Sequence, residues 1–274
     1  MLFGPTTSDI PPFGPPFRDA RRIVFVHAHP DDETISTGAL IAALAASGRH
    51  CFVLTATRGE QGEVRPGVLA HGGDLTALRL AEWERACHTL GAAGSALLGT
   101  PPARGAGEPT RVYADSGMVW LDASETLAGP DPDAPADALT SADPEEVAAD
   151  IAAYATAVGA DLLVGYDAYG GYGHPDHTFL HAPVRAAASA LGLPLVEIVS
   201  QPRPGASEWP ESPDADARPA VTLDLRAHRD AMVAALKRYA SQVRVDGDEI
   251  VHVGGQREPI QVRVGVRPVL ARRI

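Results

Sequence analysis

Cysteine is scarce: two residues in 274, Cys51 and Cys87, at a separation that matches no metal or redox spacing. That excludes a disulfide framework and a thiolate metal centre, and both thiols read as buried and reduced. Long apolar runs are missing as well. None approaches the ~18 residues of a membrane span, and the Pro-rich first twenty residues lack the apolar stretch of a secretory signal, so a reducing cytoplasm is the expected location. Basic charge is short, with 23 Lys plus Arg against 35 Asp plus Glu and a net charge of −12. Such a balance argues against phosphate backbones and anionic lipid, so neither nucleic acid nor membrane is an expected partner. No GxGxxG follows the first apolar run, and a dinucleotide site finds no support. What remains, 45% hydrophobic and 21% charged, is the composition of an ordinary globular protein.

Residues 1–20 read as a Pro-rich arm. Ile23-Val24-Phe25-Val26 is a buried strand that ends in the polar cluster His29-Pro30-Asp31-Asp32-Glu33. A helix with Ile35, Leu40, Ile41 and Leu44 follows, closed by Gly48, and Cys51–Leu54 forms a second strand. Residues 58–73 read as a long loop, and Asp74 caps an amphipathic helix that ends at Gly91. On that helix Arg79 and Glu82 share the inward half, either as a structural ion pair or facing a site. Ala96–Leu98 is a short strand, and 128–142 reads as a flexible surface insertion. Asp143-Pro144-Glu145-Glu146 starts a helix that Gly159 ends. Asp161–Tyr166 is the next strand, delivering a loop, Asp167 to His177, that is dense in functional residue types. A helix over about 178–191, a strand at Leu195–Val199, a Pro-rich loop at 202–219, a strand at Val221–Leu225, a helix over 227–239 and a small terminal β portion complete the chain. Strands alternating with helices predict an α/β, Rossmann-like fold: a mostly parallel sheet flanked by helices, with sites at the carboxyl ends of the strands. The expected division is the arm, a metal-binding catalytic core over 21–200, and a portion over 201–274 that completes the fold and the pocket.

Both polar clusters fall at strand ends. Three consecutive acids after a buried strand are costly to crowd without a positive centre, and a divalent metal is the simplest one. The second cluster, Gly170-Gly171-Tyr172-Gly173-His174-Pro175-Asp176-His177, places two imidazoles and a carboxylate where they can close on the same point. Two His and one Asp with an open position make a catalytic rather than a closed zinc site.

HAHPDDE (27–33) and GYGHPDH (171–177) resemble the two signatures of the zinc-dependent de-N-acetylases, the LmbE-like family that includes GlcNAc-phosphatidylinositol deacetylases and mycothiol enzymes. The likeness spans roughly 22–270, with support from RGEQGEV (58–64), ADSGM (114–118) and RYASQV (238–243). It is strongest to the mycothiol-pathway branch that removes acetate from N-acetylglucosaminyl-inositol. The resemblance implies His29, Asp32 and His177 as zinc ligands and Asp31 as general base. It further implies His174 as oxyanion stabiliser or acid, Asp176 as its orienting partner, and Tyr172 as a carbonyl-polarising group. Arg79, Asp115 and, more weakly, Glu63 fall at positions that hold sugar and inositol hydroxyls. The implied substrate is a small N-acetyl amino sugar. Zn²⁺ and Fe²⁺ both accept these ligands.

Rival readings stay open at this point. Inside the family stand an amidase of mycothiol S-conjugates and a deacetylase of glycosylated natural products; outside it stand a Mn²⁺-dependent nucleotide-sugar transferase and a metal-binding sensor. His27 reads either as a packed strand residue or as support for the ligands. His50, His71, His88, His181, His228 and His252 carry no motif and read as surface or core, and Trp83 and Trp120 as core.

Overall fold

The computed structural model describes Gly14 and residues 16–200, 211–214 and 217–269. Most of the expected arm and more than half of the Pro-rich loop lie outside them. Phe17 and Ala20, at the end of the arm, are buried in the core.

The predicted alternation of strands and helices is present. In chain order the elements are β1 (Arg22–His27), α1 (Asp32–Ala46), β2 (His50–Thr55), α2 (Leu75–Leu90) and β3 (Gly94–Leu97). Then come β4 (Val119–Trp120), β5 (Ala128–Gly129), α3 (Pro144–Ala157), β6 (Leu162–Tyr166), α4 (Pro175–Leu191) and β7 (Leu195–Ile198). The chain continues through β8 (Val221–Asp224), α5 (Arg229–Leu236), β9 (Val243–Asp246), β10 (Glu249–His252), β11 (Arg257–Pro259) and β12 (Arg263–Val269). The main sheet runs β3-β2-β1-β6-β7-β12-β8. Its first five strands are mutually parallel, and β12 is antiparallel to both neighbours.

The period-2 alternation of the buried strands splits the core. Ile23 and Phe25 of β1 join Leu40, Leu44, Trp83, Cys87 and Leu236 on the face covered by α1, α2 and α5. Val24 and Val26 join Val147, Ile151, Leu180 and Val184 on the face covered by α3 and α4. Each face is therefore apolar, which is what a parallel sheet buried on both sides requires. Both cysteines are free and lie within the first cluster, where burial pushes the Cys51 thiol up to about 12.

Helix ends follow local chemistry. The Asp74 carboxylate accepts from the Ala77 amide and Gly91 closes α2 at φ 79°. Asp143 caps α3 ahead of Pro144. The small terminal β portion is present and divides: β9–β11 make a small antiparallel sheet, whereas β12 inserts between β7 and β8 and completes the main sheet, because Val264 and Val266 find apolar cover there. Two expectations change. The stretch 128–142 is no flexible insertion: β5 pairs with β4, Ala138 and Leu139 are fully buried, and Thr140 bonds Ser116. Finally, α4 starts at Pro175 rather than near 178, so His177 projects from its first turn instead of from a loop.

Candidate metal centre

Because β1 and β6 are adjacent and parallel, their carboxyl ends bring residues 27–33 and 166–177 together. His29 uses both nitrogens. Nδ1 lies 3.1 Å from Asp32 Oδ2, while Nε2 lies 3.1 Å from Asp176 Oδ2 and 3.5 Å from Asp115 Oδ1. His177 reaches the same Asp32 oxygen from the other side, Nε2 to Oδ2 at 3.1 Å. Its Nδ1 is 3.2 Å from the Gly170 carbonyl, and so carries the proton. That bond fixes the tautomer and turns the Nε2 lone pair inward. Nε2 is buried and makes no hydrogen bond, since its approach to Asp32 is not aligned as one.

This orphaned nitrogen, the shared Asp32 oxygen and His29 Nδ1 form a His/Asp/His donor set. The 3.1 Å separations are close to the roughly 3.4 Å between ligand atoms that share a tetrahedral ion at 2.0–2.2 Å. The residues fit a divalent metal. His29, His174 and His177 also bring nitrogens within 4.8 Å of one another, but His174 Nδ1 is occupied, accepting the Asp176 amide at 3.2 Å as the N-cap of α4.

The electrostatics agree. Burial pulls the His29 imidazolium down, yet Asp115, Asp176 and Asp32 outweigh it and hold the ring well above its usual range. Burial pushes Asp32 up, but His177 and His29 hold it well below the usual carboxylate range. Asp31 is raised to about 6 by burial, with Arg79 pulling the other way. Burial, His29 and His177 press His174 down to about 2, so it is neutral. With Nδ1 accepting, its proton sits on Nε2, ready to be donated.

Asp31 stands at φ 115° as the N-cap of α1, a left-handed conformation that costs on the order of 1–3 kcal/mol outside glycine. Arg79 Nη2 donates to its Oδ2 at 3.1 Å.

Other expected residues fall as follows. Arg79 and Glu82 do not pair with each other: Glu82 accepts from the Ser241 amide at 3.0 Å and from its hydroxyl. Asp176 does not orient His174 through its carboxylate, which instead faces His29 and accepts from the Ser116 amide at 3.1 Å and from its hydroxyl. Asp115 is buried beside His29 and accepts the Gly117 amide. Tyr172 lies at the rim, 41% exposed, with its ring 5.5 Å from that of His177 and 5.8 Å from that of Trp120. Trp120 is thus a half-buried rim residue, while Trp83 is core. Glu63 is exposed; its carbonyl accepts from Gln242, and its carboxylate meets none of the cluster.

Sequence reasoning missed Tyr166, whose ring stacks on His177 at 4.3 Å and whose hydroxyl accepts the Ala28 amide. His27 touches that hydroxyl at 3.4 Å and Thr37 at 3.0 Å, so it supports the wall behind the ligands. Asp167 and Ser200 were also missed. The Asp167 carboxylate accepts the Tyr169, Gly170 and Ser200 amides and the Ser200 hydroxyl, and that hydroxyl accepts the Gly171 amide at 2.7 Å. Together they fold the loop that aims the Gly170 carbonyl. Gly170 cannot be replaced there, since a Cβ would fall 2.7 Å from the Thr178 nitrogen. The only sequence signal for Tyr166 and Asp167 was their place at the end of β6.

Comparison with known proteins decides the family. The sequence model described as "PIG-L: GlcNAc-PI de-N-acetylase" matches residues 24–188. The chain belongs to this de-N-acetylase family. A Kineococcus radiotolerans protein named 1D-myo-inositol 2-acetamido-2-deoxy-alpha-D-glucopyranoside deacetylase is 39% identical over 267 residues, covering 84% of this chain and 71% of its own. A Saccharomonospora viridis protein of the same name is 34% identical, covering 87% and 91%. The fold resembles that of the zinc-inhibited form of teicoplanin deacetylase Orf2, with TM-score 0.57 at 18% identity over 91% of this chain and 98% of that one. The A40926 pseudoaglycone deacetylase Dbv21 gives TM-score 0.55 at 21% identity, covering 80% and 81%. No described helix is long and apolar enough to cross a membrane.

Proposed function

We propose that this de-N-acetylase removes acetate from N-acetylglucosaminyl-inositol, with a divalent metal, zinc or iron(II), held by His29, Asp32 and His177. The observation that carries the reading is the buried, unbonded His177 Nε2 facing the oxygen that His29 Nδ1 also faces. Relatives at 34–39% identity named for that substrate supply the sugar. They also disfavour the sugar-transferase alternative.

When bound, the ion supplies Lewis-acid polarisation and lowers the pKa of a water toward neutrality. The chain's residues do the rest. Asp31 takes the proton from the attacking water. Neutral His174 donates a hydrogen bond from Nε2 to the oxygen that becomes negative in the tetrahedral state, and Asp31, which then carries the water's proton, returns it to the departing amine. Asp176 and Asp115 hold the far nitrogen of His29, which sets the direction of its near one. Tyr172, at the rim, polarises the acetyl carbonyl.

The test is release of free amine from N-acetylglucosaminyl-inositol by zinc-loaded protein. Turnover by the wild-type chain, and none by Asp31→Ala with metal retained, is the expected result. Wild-type protein that carries metal and yields no amine would overturn the substrate.

A further inference from the structure

The family resemblance gives Arg79 a sugar hydroxyl to hold, but its surroundings give it another task. Arg79 is 3% exposed. Nη2 donates to the Pro30 carbonyl at 2.6 Å and to Asp31 Oδ2 at 3.1 Å, and Nη1 donates to the Gly59 carbonyl at 2.6 Å. Nε is buried as well and has no partner, so the bonds that the fork does make all run to Pro30, Asp31 and Gly59. Two glycines of the RGEQGEV stretch make its slot: a Cβ on Gly59 would fall 2.1 Å from Nη1, and one on Gly62 2.6 Å.

What the fork holds is a residue under strain. An acid at a helix N-cap ordinarily turns its carboxylate onto the amides of its own first turn. Asp31 makes no such bond and stands at φ 115°. Strained backbone persists only where its neighbours over-determine it. They do so here from two sides. Glu33 Oε2 accepts the Asp31 amide at 3.1 Å, and the Tyr239 hydroxyl holds Glu33 Oε1 at 2.7 Å. From the other side Arg79 holds the carboxylate, while Ser241 and Gln242 tie α2 and the 59–63 turn together through Glu82 and the Glu63 carbonyl. The 58–64, 79–82 and 238–243 segments thus converge on one side chain.

We propose that Arg79 is a positioning residue, whose buried fork keeps the Asp31 carboxylate turned away from its helix and toward the reaction centre. This rests on the reading of Asp31 as the base.

The test uses the metal-loaded full chain and Arg79→Gln, Arg79→Lys and Gly62→Ala, the last displacing the guanidinium while keeping its charge. For Arg79→Gln the expected result is a fall in kcat of about 10²-fold, with KM within about threefold of wild type and metal content unchanged. Arg79→Lys recovers only part, because an ammonium group cannot span the three acceptors at fixed angles. Gly62→Ala shows the same pattern more weakly, and keeps the test open should Arg79→Gln not fold. Amide exchange in the 29–35 segment of Arg79→Gln rises at least tenfold, with α4 unchanged. A rise in KM with kcat retained would make Arg79 a substrate contact and overturn the proposal, as would unchanged exchange over 29–35. Should the wild-type chain itself leave N-acetylglucosaminyl-inositol intact, the substrate reading fails, and the exchange measurement still decides the role of Arg79.

Discussion

Two clusters of histidine and carboxylate in this fold bring their possible ligand atoms within 4.8 Å of one another: His29, Asp115 and Asp176 at the ends of β1 and β6, and, behind them, buried Glu197 with half-buried His181 and Asp214. Their charge differs. Around the first stand Asp31, Asp32, Asp115 and Asp176 against, among the described residues, a single guanidinium, that of Arg79. In the second, Glu197 and Asp214 are met by Arg185 at 2.9 and 3.7 Å, and Glu197 also by Arg267 at 3.4 Å. The nitrogens differ too. His181 spends Nδ1 on the Tyr166 carbonyl and Nε2 on Asp214, whereas His177 Nε2 is left unbonded. Spacing alone therefore does not distinguish a metal site from an ion-pair network. Uncompensated negative charge and a nitrogen with no other use do.

The largest effect that would break this contrast is on metal itself. His177→Ala is expected to reduce metal from about one ion per chain to near none, and activity with it, in elemental analysis of dialysed protein. Glu197→Gln should leave the metal untouched and instead lose about 3 kcal/mol of stability in urea denaturation, since Arg185 and Arg267 would face a neutral partner in a buried site. If Glu197→Gln lowered the metal stoichiometry, the second cluster would be a site after all. Next in size is Asp31→Ala, for which kcat should fall about 10³-fold with metal content unchanged. A variant that lost its metal would move Asp31 among the ligands.

The pH dependence sharpens the comparison further. In the metal-free chain the excess of carboxylates is met by a proton on His29, held well above its usual range by Asp115, Asp176 and Asp32 against the pull of burial. A metal ion must displace that proton. Because the folded-state pKa is raised, the proton is still bound above pH 6.5, and affinity is expected to climb up to tenfold per pH unit from 6.5 to 8. Competition against a chelator at several pH values checks this; an affinity flat over that range would remove His29 from the donor set.

Much of the site was legible in the sequence and much of its support was not, for a physical reason. His29, Asp31, Asp32, His174 and His177 sit in two short contiguous motifs after apolar runs, and strand-end chemistry is local information. The caps Asp74, Asp143 and Gly91 are local as well. By contrast, the Asp176 carboxylate meets a histidine 147 residues away, and Tyr239 meets Glu33 across 206. The antiparallel place of β12 in the main sheet is likewise a pairing across the fold, for which alternation fixes a face and no partner. The reading of 128–142 as a loose insertion failed because small residues, Ala128, Gly129 and Ala138, bury well while looking like linker composition.

The smallest predicted effect probes that hidden support. Ser200 touches neither a ligand nor the reaction centre; its hydroxyl joins Asp167 at 2.6 Å to the Gly171 amide at 2.7 Å. Those bonds shape the turn that presents the Gly170 carbonyl to His177 Nδ1, which in turn sets the direction of Nε2. Ser200→Ala removes one link of that chain and leaves the amides on Asp167 in place. Metal affinity is therefore expected to weaken about tenfold, the lower end of what outer partners of a ligand contribute. A substitution in the balanced cluster, Asp214→Asn, should leave metal affinity unchanged. If both variants bound metal as the wild type does, the direction of the His177 ring would be set by its stacking on Tyr166 instead of by the turn.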